Sequence, residues 1–107
     1  MDQKLAHVQI LYVGMLTGEP GFGRKLIECL QGLERFELTG ERSGADAVLE
    51  AHGEDQEDGF FGQLKICDLR GTVLWSAQAL RPHGAAGPMA YERLIAELRA
   101  ALPPTTD

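Results

Sequence analysis

Ile66-Cys67-Asp68-Leu69-Arg70-Gly71-Thr72-Val73-Leu74-Trp75-Ser76 reads as two strands meeting at a tight turn. Asp68 can bond the backbone of its own turn, and Gly71 accepts a positive φ without penalty. Upstream, Phe60 to Asp68 is strand-like, with Leu64 and Ile66 on one face and Phe61, Lys65 and Cys67 on the other. Downstream, Thr72 to Leu80 carries Val73, Trp75, Ala77 and Ala79 at period two, so it predicts the returning strand. A two-stranded ribbon cannot bury its apolar side alone, so the rest of the chain must supply a cover.

Two segments fit that role. From Gly21 to Leu33, Phe22, Leu26, Ile27, Leu30 and Leu33 recur at spacings of three and four and form one apolar stripe. From Pro88 to Leu102, Tyr91, Leu94, Ile95, Leu98, Ala101 and Leu102 form a second, and Pro103-Pro104 stops it. Three further strands are predicted. They are His7 to Gly14, apolar on both faces from Ile10 to Val13, then a short Arg35 to Thr39, then Ala45 to His52, where the alanine content keeps a helix open as the alternative. Gly14 to Gly23, Gly40 to Gly44, an acidic stretch at Glu54 to Gly59, and Arg81 to Gly87 read as connections.

The resulting order is β-α-β-β-β-β-α. Two amphipathic helices, each with one apolar stripe, fit against one side of a mixed sheet. The expectation is an α/β (α+β) two-layer sandwich. With 107 residues the chain is expected to form a single domain, its ordered core at about 7–102 and its tail at 103–107.

Composition narrows function by exclusion. The chain is 44% hydrophobic and 24% charged, which is not the balance of a disordered sequence. No apolar run approaches the ~20 residues of a membrane-spanning helix, so no membrane insertion is expected. A formal net charge of -6 repels phosphate backbones, and no nucleic-acid partner is expected. Cys29 and Cys67 sit in apolar segments without CxxC spacing and read as small buried hydrophobes. The start of the chain has no basic region followed by an apolar one, so as written a cytoplasmic setting is expected. A leader or neighbouring domain upstream would instead place it in the periplasm or envelope.

The order of these motifs resembles a family of small bacterial domains. They include the amino-terminal domain of the translocation protein TolB, envelope lipoproteins that activate peptidoglycan synthesis, and the curli-secretion lipoprotein. The features that carry the resemblance are Leu33-Glu34-Arg35-Phe36-Glu37-Leu38 after the first helix, Gly44-Ala45-Asp46-Ala47-Val48-Leu49, the hairpin at 66–76 and the closing helix. Together they cover about Val8 to Leu102. The resemblance implies an anticodon-binding-domain-like α/β sandwich and a noncatalytic interaction module, often exported and attached to something larger. The chain departs from that setting by having no lipobox cysteine near its start.

Candidate sites are few. Gly18-Glu19-Pro20-Gly21-Phe22-Gly23-Arg24-Lys25 joins a strand to a helix, where phosphate loops occur. It lacks the Gly-Lys-Ser/Thr ending of a Walker loop and the third glycine of a dinucleotide fingerprint. What remains is an anion contact at Gly21, Gly23, Arg24 and Lys25, set against a plain connection with a solvated basic pair. His52 beside Glu54, Asp55, Glu57 and Asp58 lacks the ligand spacing of an EF-hand and reads as a solvated turn. Ser76 has no G-x-S-x-G elbow, Asp68 belongs to its turn, and Asp46 to backbone bonding at strand entry. No metal or other cofactor is called for, and an enzyme is not expected.

The remaining surface is the sheet face turned away from the helices, a mixture of apolar and charged groups that a protein partner or second copy can cover. Phe61, Leu74 and Trp75 are its candidate contacts. The expected function is a noncatalytic protein-interaction or assembly module of a bacterial protein. The alternative is a small-ligand or anion-sensing domain using Gly18 to Lys25.

Overall fold

The computed structural model describes Leu5 and residues 8–102. Seven elements follow one another: β1 Ile10–Gly18, α1 Pro20–Gly32, β2 Glu37–Thr39, β3 Ala47–Gln56, β4 Gly59–Cys67, β5 Val73–Pro82 and α2 Ala90–Ala101. The strands lie in one sheet in the order β2-β1-β3-β4-β5. β1 runs parallel to both β2 and β3, while β3, β4 and β5 are successive antiparallel neighbours. The sheet is therefore mixed, and both helices cover one face of it in the expected two-layer arrangement.

The apolar stripes explain the layers. Leu26, Leu30, Leu94 and Leu98 of the helices and Leu11, Leu49, Leu64 and Ile66 of the sheet have their side chains fully buried. Burying one such side chain is worth about 2 kcal/mol relative to leaving it in water, so this cluster dominates the stability. No polar or charged residue is buried among the described residues, so the core makes no demand for internal ion pairs.

The hairpin turn forms as its residues dictate. Asp68 Oδ1 accepts hydrogen bonds from the backbone N–H groups of Arg70 and Thr72, each at 2.9 Å. The Gly71 N–H donates to the Asp68 carbonyl at 3.0 Å with Gly71 at φ 96°. Asp46 does a similar job between strands: its Oδ2 accepts from the backbone N–H groups of Gln9 and Ile10 at 2.9 Å each.

Several boundaries differ from expectation. β1 continues through Met15, Leu16 and Thr17 to Gly18, where a connection starting at Gly14 is expected. An irregularity in register between Val13 and Leu16 lets the strand bend and resume pairing, Leu16 with Ala51 and Gly18 with Gly53. The acidic connection is mostly strand as well. Glu54, Asp55 and Gln56 end β3, opposite Phe61, Phe60 and Gly59, leaving only Glu57 and Asp58 to reverse the chain. β2 omits Arg35 and Phe36, β5 runs on through Arg81 to Pro82, and α2 starts at Ala90 rather than Pro88 because Met89 is extended. The expected strand start at His7 and the tail at 103–107 lie outside the described residues.

Candidate functional site

Alternation along β4 separates its side chains cleanly. Phe60, Gly62, Leu64 and Ile66 face the helices, so Phe61, Gln63, Lys65 and Cys67 lie on the open face. Polar groups there bond across strands. Lys65 Nζ lies 3.4 Å from Glu50 Oε1 on the neighbouring strand. Thr17 Oγ1 lies 2.7 Å from His52 Nδ1, and His52 Nε2 lies 3.6 Å from Glu54 Oε1. Thr17, Glu50, His52, Gln63 and Lys65 border a shallow recess of about 100 Å3. The Lys65–Glu50 and Thr17–His52 contacts cross strands, whereas His52 and Glu54 are two positions apart on β3.

The three candidate contact residues do not form one patch. Phe61 is half-buried on the open face, paired with Leu80 of β5, which is 40% exposed. Trp75 sits opposite Ile66, on the helix side of the sheet, and packs against the margin of the core. Leu74 is the extra residue where the register shifts between Ile66 and Cys67, and it packs on the core too. Leu74 and Trp75 are both half-buried, packing against the core with part of each side chain left exposed.

Among the described residues, β5 itself is an edge strand of ten residues, bonded to β4 on one side only. Arg93 Nη1 donates to the Leu80 carbonyl at 3.3 Å, which shows that the polar backbone groups of Leu80 face outward. Antiparallel alternation gives Ser76 and Gln78 the same outward direction. Arg81 is the single charged residue of the strand, against the usual habit of blunting edges with charges.

The Gly18 to Lys25 segment is not a loop. Gly18 ends β1 with φ 84°, and a Cβ there would fall 1.9 Å from the Gly53 carbonyl oxygen. Glu19 donates its N–H to that carbonyl at 2.7 Å and serves as N-cap, with Pro20 opening α1. Gly21, Gly23, Arg24 and Lys25 are thus helical. Gly23 lies under Leu16, with 3.3 Å between the position of a Cβ and Leu16 Cδ1, so its small size serves packing. Arg24 is exposed, while Lys25 approaches Glu28 at 3.9 Å.

Gly21 and Lys25 border a pocket of about 300 Å3 that sequence reasoning misses. It also gathers Phe22, Phe60, Arg81 and Tyr91 from α1, β4, β5 and α2. No local spacing joins these positions. The one available signal is that alternation sends Phe60 to the helix side.

Neither thiol is activated. Burial raises the pKa of Cys29, helped by Glu92 and Glu28, and burial likewise raises that of Cys67. The two cysteines are free. His83 Nε2 meets the Gln56 carbonyl at 2.9 Å and Asp55 Oδ1 at 3.6 Å, away from His52. Among the described residues, no group of three or more His, Cys, Asp and Glu side chains gathers as metal ligands do. Among the same residues, no helix is long and apolar enough to cross a membrane.

No protein-family model matches the chain, and no curated protein sequence matches it. Solved structures do share its fold. TolB from Acinetobacter baumannii superposes with a TM-score of 0.57 at 12% identity, over 73% of this chain and 24% of that one. A lipoprotein from Neisseria meningitidis gives a TM-score of 0.52 at 14% identity, over 88% of this chain and 95% of that one. The chain therefore spans about a quarter of the TolB it resembles and nearly all of the lipoprotein. At such identities the likeness is one of fold: a TolB-like and lipoprotein-like α+β sandwich.

Proposed function

We propose that this chain is a noncatalytic protein-interaction or assembly module of a bacterial protein, working at the envelope, and that it receives a strand of its partner along β5. The observation that carries this reading is the unpaired edge of β5. Ten residues long, with one charge, it offers the outward N–H and C=O groups of Ser76 and Gln78, and the N–H of Leu80, to an incoming strand; the Leu80 carbonyl already accepts from Arg93. Phe61 and Leu80, adjacent on the open face at the same edge, would add apolar contact area beside those bonds. The fold shared with TolB and with a lipoprotein supports the envelope setting.

The reading is tested by amide hydrogen exchange on the complex isolated with this chain from its own cells, compared with the chain alone. Ser76, Gln78 and Leu80 amides are expected to exchange freely in the isolated chain and to become protected in the complex. Gln78→Pro removes one outward N–H while leaving the ladder to β4 intact, and is expected to abolish the complex. A complex that survives Gln78→Pro, or an edge unchanged in exchange, would overturn it.

A further inference from the structure

The pocket of about 300 Å3 at the first turns of α1 and α2 combines an apolar lining with two cations, Lys25 and Arg81, and one carboxylate, Glu19. We propose that it binds a small carboxylate bearing one aromatic or branched alkyl group. The apolar group would lie against Phe22 and Phe60, and the carboxylate at Arg81 and Lys25.

Size and lining set the apolar half of the ligand. The volume is at the small end for small-molecule pockets, enough for one ring or branched chain. Phe22 and Phe60 meet at 5.5 Å between centroids and 41° between planes, forming a wall. Met89, 44% exposed at the mouth, is an unbranched thioether that can close over ligands of differing shape.

Arg81 sets the polar half. It is half-buried, and Nη2 donates to the Ala85 carbonyl at 2.8 Å. Its Nε is buried without an acceptor among the described residues, and among them no carboxylate forms an ion pair with its guanidinium. A partly desolvated cation without a counter-ion is costly, and a ligand carboxylate offsets that cost. Lys25 adds a second positive charge, held among the described residues by a loose 3.9 Å contact to Glu28. The start of α1 lies at the same mouth, its N-cap Glu19 making no side-chain bond to the first turn. Two cations at an apolar mouth run against the net charge of -6. Glu19, also at the rim, opposes them, so a single negative charge matches the site better than a doubly charged phosphate.

The test is an amide NMR titration of the full chain with phenylbutyrate, using phenylbutanol as the neutral analogue and acetate as the analogue without the apolar group. Phenylbutyrate is expected to give saturable shifts at Gly21, Phe22 and Tyr91. Phenylbutanol is expected to bind about tenfold more weakly, as is phenylbutyrate to Arg81→Gln. Lys25→Gln is expected to weaken binding about threefold. Lys25 is exposed, so this variant keeps the fold even where Arg81→Gln does not. Equal affinity for acid and alcohol, acetate binding as tightly as phenylbutyrate, or shifts that fail to saturate by about 10 mM would each overturn the proposal.

Discussion

Phe22 lies where a side chain on Gly53 would have to go: a Cβ at Gly53 would fall 2.5 Å from Phe22 Cγ. Gly62, directly across the ladder from Gly53, makes the same accommodation, with 2.9 Å between its Cβ position and Phe22 Cε1. The paired glycines form a hollow in the sheet that lets the first turn of α1 sit close to β3 and β4. Gly53→Ala is therefore expected to lower stability by about 2–3 kcal/mol, since overpacking a filled core has that cost. Phe22→Leu in the same chain is expected to recover part of the loss. Urea denaturation of the two single variants and the double variant measures the coupling, and strict additivity would contradict the contact.

Glu34 is the non-glycine residue with positive φ among the described residues, at 53°, just beyond the end of α1. Helices favour glycine there, because a Cβ in the left-handed region costs about 1–2 kcal/mol. Glycine also costs about 0.5–1 kcal/mol through the freedom it has when unfolded. Glu34→Gly is thus expected to stabilise the fold by about 0.5 kcal/mol, read as a higher denaturation midpoint with an unchanged slope.

The parts of the fold legible in the sequence are those where one physical rule acts alone. Asp68 and Gly71 specify a turn through local bonds and φ, and the stripes of α1 and α2 follow from burial of one face. The far ends of β1 and β3 were not legible, because Met15 to Gly18 and Glu54 to Gln56 are exposed and carry no alternation of burial. Backbone pairing with neighbours holds them, and pairing leaves no hydrophobic pattern. Nothing in the sequence marks Gly53 or Gly62 as a contact until Phe22 is placed over them. The pocket was hidden for the same reason: Phe22, Phe60, Arg81 and Tyr91 meet only after the helices are laid on the sheet. The β5 edge depends on strand order, which no local pattern encodes.

Asp46 makes stability depend on pH in a defined direction. Hydrogen bonds from the Ile10 and Gln9 amides hold its carboxyl below the usual aspartate range. A depressed folded-state pKa adds stability that is present above the unfolded value of about 3.9 and lost as pH falls through the folded value. Asp46→Asn removes that titration. Wild type is expected to be the more stable near neutrality, and the gap is expected to narrow as the pH is lowered below about 4. Denaturation midpoints of both proteins across that window check it, and a constant gap would contradict the assignment.

Both thiols should resist alkylation. The nucleophile is the thiolate, and burial raises the pKa of Cys29 and Cys67, so the reactive fraction near neutral pH is smaller than in a free cysteine. Cys67 is buried in β4 while Cys29 is half-buried on α1, so the order of reaction with iodoacetamide should be free cysteine, then Cys29, then Cys67. Mass spectrometry over time reads the order directly. A fast-reacting Cys29 would point instead to an activated thiol.

A pair of proline substitutions separates the two sides of β5. The Leu80 carbonyl faces outward to Arg93, so alternation turns the Gln78 amide outward and the Ala77 amide inward to Leu64. Gln78→Pro deletes a donor turned away from the ladder, with no strand beside it among the described residues, and is expected to cost about 1 kcal/mol or less, mainly from its fixed φ. Ala77→Pro deletes a ladder bond, strands the facing carbonyl and is expected to cost about 3 kcal/mol. Equal losses in urea denaturation would mean that both amides are bonded within the fold, and β5 would then have no free edge to offer a partner strand.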